Sequence, residues 1–158
     1  MGSSGELEAL LRALMSGPAR PYRLFISHAW DYKSEYEGVV ALLNTDKTFA
    51  WENHSVPEES PLQVLASLSK SYRFLVRQLD ERISKSDCVI VLAGMYVAHR
   101  GWIQSEIEAA KDFGKPIIAV RPRGNVQFPE AVMHAAVESV GCLSSSITGA
   151  IRKHVVLK

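Results

Sequence analysis

The chain is short of long apolar runs, of cysteine and of net charge, and each shortage closes a class of function. No uninterrupted apolar stretch reaches the roughly 20 residues of a membrane span, and no secretory signal opens the chain, so a cytoplasmic location is expected. There are 2 cysteines, Cys88 and Cys142. Both fall in apolar, strand-like runs and read as buried thiols rather than a disulfide framework. A formal net charge of +1 gives no general reason to expect nucleic acid or a membrane surface as partner. The phosphate-cradling patterns GxGxxG and GxxxxGK[ST] are missing, as is the GxSxG elbow of hydrolases. The histidines His28, His54, His99, His134 and His154 do not pair at metal-ligand spacing, so no metal site is expected. What remains is 158 residues, 47% hydrophobic and 22% charged, which is the profile of one ordinary globular domain.

The segment from Arg82 to Arg121 organises the rest. Cys88–Ala93 and Pro116–Val120 are short, continuous Val- and Ile-rich runs, as expected of parallel strands covered on both faces. The residues between them are long enough for a crossover containing a helix that begins near Trp102. Ile103, Ile107, Ala110 and then Phe113 or Gly114 follow helical spacing, and Gly114-Lys115-Pro116 reads as a helix stop before a strand.

The flanking chain extends this βαβ unit. The opening MGSSG reads as an expression scar, residues 1–5, and is set aside. Residues 6–18 read as an N-terminal helix and linker, with Leu7, Leu10, Leu11 and Leu14 on one face. Two uses are open to that face, packing on the domain or dimerisation. Residues 20–158 read as a single domain. Tyr22–Ser27 is expected as its first strand, followed by a helix that Ser34 caps and whose apolar positions are Tyr36, Val39, Val40 and Leu43. Thr48–Trp51 is expected as a short strand near a sheet edge, Glu52–Pro61 as a loop, and Ser69–Ser84 as a helix burying Leu75, Leu79 and Ile83. After the central unit come a helix over Pro129–Ala136, a strand over Glu138–Leu143 and a closing helix over Ser144–Val155. Strict alternation of strands and helices describes an α/β doubly wound parallel sheet of five strands, with the flavodoxin-like order 2-1-3-4-5 and helices on both faces.

Ligands of such sheets bind outside the carboxyl ends of the strands. That rim carries Phe25, Ser27, His28, Trp30, Asp31, Asn53, His54, Ser55, Tyr96, Trp102 and Glu106. Aromatic faces, hydroxyls and one candidate carboxylate, Glu106, suit a nucleotide whose base stacks and whose ribose needs an acceptor. From spacing alone, however, a glutamate in the first turns of a helix is more often a surface residue compensating the helix dipole. A lone tryptophan is more often core or staple. A phosphoacceptor of the response-regulator kind is disfavoured, since the first and third strands end in Ser27-His28 and Ala93-Gly94 rather than in acids.

Taken in order, FISHAWDY (25–32), WENHSVPEESP (51–61), CVIVLAGMYV (88–97), WIQSEIEAA (102–110) and GKPIIAVRP (114–122) resemble the TIR-like domain family. The likeness runs from Tyr22 to His154 and is closest to the TIR-like subunit of the bacterial Thoeris anti-phage system. It implies a TIR-type flavodoxin-like fold in which Glu106, in the pattern Trp102-x-x-x-Glu106, is the catalytic carboxylate that cleaves the nicotinamide–ribose bond of NAD. Of the rim residues, Phe25, Ser27, His28, Trp30, Asp31, Asn53, Tyr96 and Trp102 are expected to bind substrate. NAD would be substrate, with no separate cofactor. The product would be a cyclic ADP-ribose-type signal for a separate effector protein, and self-association is expected. The alternative within the same family is a non-catalytic interaction or nucleotide-sensing module. Two details depart from NAD-cleaving relatives: Ile103 stands where a small residue or cysteine often follows the tryptophan, and His99-Arg100-Gly101 precedes it in place of a serine-containing loop.

Overall fold

The computed structural model describes residues 4–15, 20–27, 33–55, 72–92, 100–121 and 129–157. The strands are β1 (Tyr22–Ile26), β2 (Trp51–Asn53), β3 (Cys88–Leu92), β4 (Ile117–Val120) and β5 (Glu138–Val140). Among the described residues the helices are α1 (Ser4–Met15), α2 (Lys33–Thr45), α3 (Tyr72–Lys85), α4 (Arg100–Asp112), α5 (Glu130–Ala135) and α6 (Ser144–His154). All neighbouring strands are parallel, in the order β2-β1-β3-β4-β5. The expected sheet is therefore the observed one. None of the described helices is long and apolar enough to cross a membrane.

Burial explains why the central strands read clearly. Every residue of β3 and β4 is buried, so each needs an apolar side chain on both faces. Helices α3 and α4 pack together, as do α2 and α6. The strand order reverses beside β1. Right-handed crossovers therefore put α2 on one face and α3 and α4 on the other. Val39 and Leu43 of α2, Leu79 and Ile83 of α3, Ile103, Ile107 and Ala110 of α4, and Ile147 and Ile151 of α6 complete the core.

The edges correct the expectations. The second strand is Trp51–Asn53, not Thr48–Trp51, because residues 46–49 form a turn of their own. Asp46 Oδ1 accepts the Thr48 backbone N–H at 2.9 Å and its hydroxyl at 2.6 Å, which removes Thr48 from strand pairing. Phe49 then turns inward and stacks on Tyr22, with centroids 4.9 Å apart, while the Arg152 guanidinium lies 5.2 Å from the Phe49 ring centre. The last strand stops at Val140, where the chain turns with Leu143 N–H donating to Gly141. Leu143 is consequently exposed and Cys142 only half-buried, whereas Cys88 is fully buried; both are free thiols. Phe113 is likewise exposed, since α4 ends one residue before it. Ser34 lies inside the first turn of α2 and bonds Glu35 rather than capping the helix. Helix α1 starts at Ser4, so its first two residues belong to the tract read as a scar. Its Leu7, Leu10 and Leu11 are exposed.

Two devices set the frame that carries the rim. At the amino end of β3, Asp87 accepts both Arg20 guanidinium nitrogens at 2.7 and 2.8 Å and the Arg23 backbone N–H at 2.8 Å, which ties β1 to β3. Burial pushes this carboxyl up, but the Arg20 and Arg23 hydrogen bonds outweigh it and hold it below the ordinary carboxylate range. After α4, Gly114 N–H donates to Lys111 and Lys115 N–H to Ala110, the paired bonds of a Schellman stop, with Gly114 at φ 64°. A Cβ at Gly114 would meet no atom within 4 Å, so alanine there strains only the backbone. Gly114→Ala should cost about 1 kcal/mol and lower Tm by roughly 2–4 °C in thermal unfolding. An unchanged Tm would show that this stop does not need its left-handed residue.

Candidate active site

Ser27 follows the last residue of β1 and is held from two sides. Its backbone N–H donates to Ile90 O at 2.8 Å, and the preceding Ile26 N–H donates to Ser55 Oγ at 2.8 Å. A side chain has to supply this second bond because β2 ends at Asn53 and leaves the carboxyl end of β1 unpaired on that side. Ser55 is fastened in turn. Its N–H donates to Asn53 Oδ1 at 3.0 Å, its carbonyl accepts Arg82 Nη1 at 3.1 Å, and Asn53 Nδ2 donates to the Tyr36 hydroxyl.

Glu106 reaches the same place from α4. The helix leaves the rim after β3, the neighbour of β1, and its second turn carries the Glu106 side chain to Ser27, whose hydroxyl donates to Glu106 Oε2. Trp102, one turn earlier on the same helix face, also hydrogen-bonds the carboxyl through its side chain. Glu106 is 1% exposed and Ser27 0%. The surface, dipole-compensating reading of Glu106 is thereby excluded. Burial pushes the carboxyl up to about 8 against an ordinary 4.5, and the bonds from Ser27 and then Trp102 pull the other way. A carboxyl poised near neutrality in a mostly apolar enclosure is suited to stabilising positive charge that arises beside it.

The remaining expected site residues divide. Phe25 is 1% exposed, one pleat below Ser27 on the same strand face, and packs in the hydrophobic core. Asn53 lies at the rim but braces Ser55 and Tyr36. Trp102 is half-buried beside Glu106. His28, Trp30, Asp31 and Tyr96 lie outside the described residues. Ile103, which follows Trp102, is 0% exposed and faces the core, away from solvent. The sequence reading passes over Arg82 and gives Ser55 no role beyond membership of the rim. The available signal for Ser55 was a hydroxyl residue just past an edge strand too short to pair its whole neighbour.

A family model for the TIR-like domain of the Thoeris protein ThsB matches residues 25–127, from the core of β1 past β4. The chain belongs to that family. Membership supports a role in anti-phage defence, and the TIR-like match spans both Ser27 and the Trp102–Glu106 pair. Among solved structures, this TIR-like domain is similar to the CMP N-glycosidase BcmB of Clostridium botulinum, at 17% identity and a TM-score of 0.47, covering 82% of this chain and 98% of that one. It is also similar to a de novo designed Rossmann 2x3 protein, at 12% identity and a TM-score of 0.46, covering 88% and 95%. Neither similarity bears on chemistry. No curated protein matches the chain.

A stability prediction follows from Glu106 alone, whatever its substrate. The folded state holds the Glu106 proton up to about pH 8, while the unfolded chain releases it near 4.5. Between those values the folded state binds more protons, so this residue's contribution to stability is greatest below pH 4.5 and falls as pH rises through 8. Glu106→Gln removes that dependence. The Tm of wild type minus that of the variant should therefore decline steadily across this window in thermal melts, and a pH-independent difference would contradict the buried, protonated carboxyl.

Proposed function

We propose that this TIR-like domain is an NAD-cleaving enzyme of phage defence, with Glu106 as its catalytic carboxylate. The observation that carries the reading is a carboxyl withdrawn from water at the carboxyl rim of the sheet, with Ser27 and Trp102 as hydrogen-bond partners. A surface glutamate with a merely electrostatic role would have no reason to be there.

The chemistry fits such a group. In NAD the nicotinamide ring is cationic. When the C1′–N bond breaks, the electron pair goes to the ring nitrogen, neutral nicotinamide departs, and no general acid is required. The ribose is left as an oxocarbenium-like cation, which a carboxylate beside the sugar stabilises. The positive ring also favours the charged form of a nearby carboxyl, so substrate binding lowers the pH at which Glu106 ionises. Capture of the cation by a nitrogen of the adenine gives a cyclic ADP-ribose-type product. Capture by water gives ADP-ribose and a proton. We assign the cyclic product, acting as a signal to a separate effector protein.

Purified wild type incubated with NAD, with products separated by chromatography and mass detection, should yield nicotinamide and a cyclic ADP-ribose isomer. Glu106→Gln cannot carry the charge and should lose about 10²–10³-fold in kcat while remaining folded. Undiminished turnover by the folded variant would overturn the assignment. A second reading, a module that signals by self-association without chemistry, has the exposed Leu7, Leu10 and Leu11 face of α1 in its favour. Concentration-dependent assembly with NAD left intact would select it.

A further inference from the structure

We propose that Ser27 acts on Glu106 and not on substrate: it is a positioning residue whose hydroxyl orients the Glu106 carboxylate and supports its negative charge. Its kinetic consequence rests on the NAD-cleaving reading above, but its physical basis does not.

Three observations carry it. First, Ser27 is 0% exposed and its hydroxyl is engaged with Glu106 Oε2, so it offers no donor to a bound nucleotide. Second, the hydroxyl is placed by the sheet. Backbone bonds on both sides, Ser27 N–H to Ile90 and Ile26 N–H to Ser55 Oγ, leave its Cβ little freedom to swing away. Third, the rest of the enclosure offers the carboxylate little else. Strands β3 and β4 contribute only apolar side chains. On α3, Arg77 is exposed, Asp80 is half-buried, Glu81 pairs with Lys85, and Arg82 donates to the Ser55 carbonyl. On α4 itself, Glu108 and Lys111 are exposed. Among the described residues Ser27 and Trp102 donate to the carboxyl, and the Ser27 bond is the stronger influence of the two. A buried carboxylate deprived of a donor reverts toward its neutral form, because an unmade hydrogen bond to a buried charge is costly.

A serine that merely fills space would alter stability but not the ionisation of Glu106. The test therefore follows that ionisation directly, through the side-chain carboxyl ¹³C shift of Glu106 titrated in the full chain without substrate, beside the pH dependence of kcat/KM for NAD. Ser27→Ala should move the titration midpoint up by roughly one pH unit. It should reduce kcat/KM about tenfold on the acid side of the profile, with recovery at alkaline pH. Ser105→Ala serves as control, since the Ser105 hydroxyl bonds Gly101 O on the same helix and does not touch the carboxyl; it should titrate as wild type. A midpoint unchanged in Ser27→Ala, or a loss of kcat/KM equal at every pH, would overturn the inference. If wild type leaves NAD intact, the NAD-cleaving reading fails, and the ¹³C titration still decides the role of Ser27.

Discussion

Taking one carboxyl out of water is the constraint on which the rim of this domain depends. A buried glutamate is tolerated only where donors meet it or where it keeps its proton. At Glu106 both conditions act, and the residues that satisfy them come from elements distant in sequence. Ser27 follows β1 and Trp102 lies in the first turn of α4, and they meet because β3 lies next to β1 in the sheet. The strand order is thus part of the chemistry. Had β4 stood beside β1, the helix leaving β3 would deliver Glu106 to a different strand end. The shortness of β2 matters for the same reason. With no backbone partner for Ile26, the Ser55 hydroxyl supplies one, and the Asn53–Ser55 turn becomes a brace beside Ser27.

The opposite end of the sheet does the complementary work of holding the strands in register. Asp87 gathers Arg20 and the Arg23 backbone at the amino end of β3, far from the rim, and carries its charge in a hydrogen-bonded, half-open setting. The contrast with Glu106 is instructive. One carboxylate has an arginine clamp and stays charged; the other has two neutral donors and a deep enclosure, and hovers near neutrality. The same functional group is thus held charged in one place and near neutrality in the other.

The parts of the fold legible in the sequence are those whose burial is uniform. The runs CVIVL and IIAV are buried on both faces and could scarcely be anything but central parallel strands, and the Gly114 stop after α4 follows from its neighbours. The edges were not legible, because an edge strand is short and its pattern is set by local competition. Asp46 takes Thr48 out of strand pairing, and the turn after Val140 exposes Leu143. At the site, the Trp102-x-x-x-Glu106 spacing marks a shared helix face but says nothing of depth. Spacing alone favours a solvated Glu106, and resemblance to the TIR-like family raised it to a candidate. Phe25 and Ser27 alternate with their neighbours and share one face, yet the sequence could not show that the first is core and the second touches the carboxyl.

The NAD-cleaving proposal requires the Glu106 carboxylate to meet the sugar whose bond is broken. The most direct measurement is a crystal structure of the wild-type domain with a carbocyclic NAD analogue, in which the ring oxygen that stabilises the cation is replaced and cleavage is blocked. The nicotinamide-bearing ring should be seated at the rim beside Glu106, with its hydroxyls within hydrogen-bond reach of the carboxylate. An analogue well ordered elsewhere, with Glu106 still enclosed by Ser27 and Trp102, would contradict it.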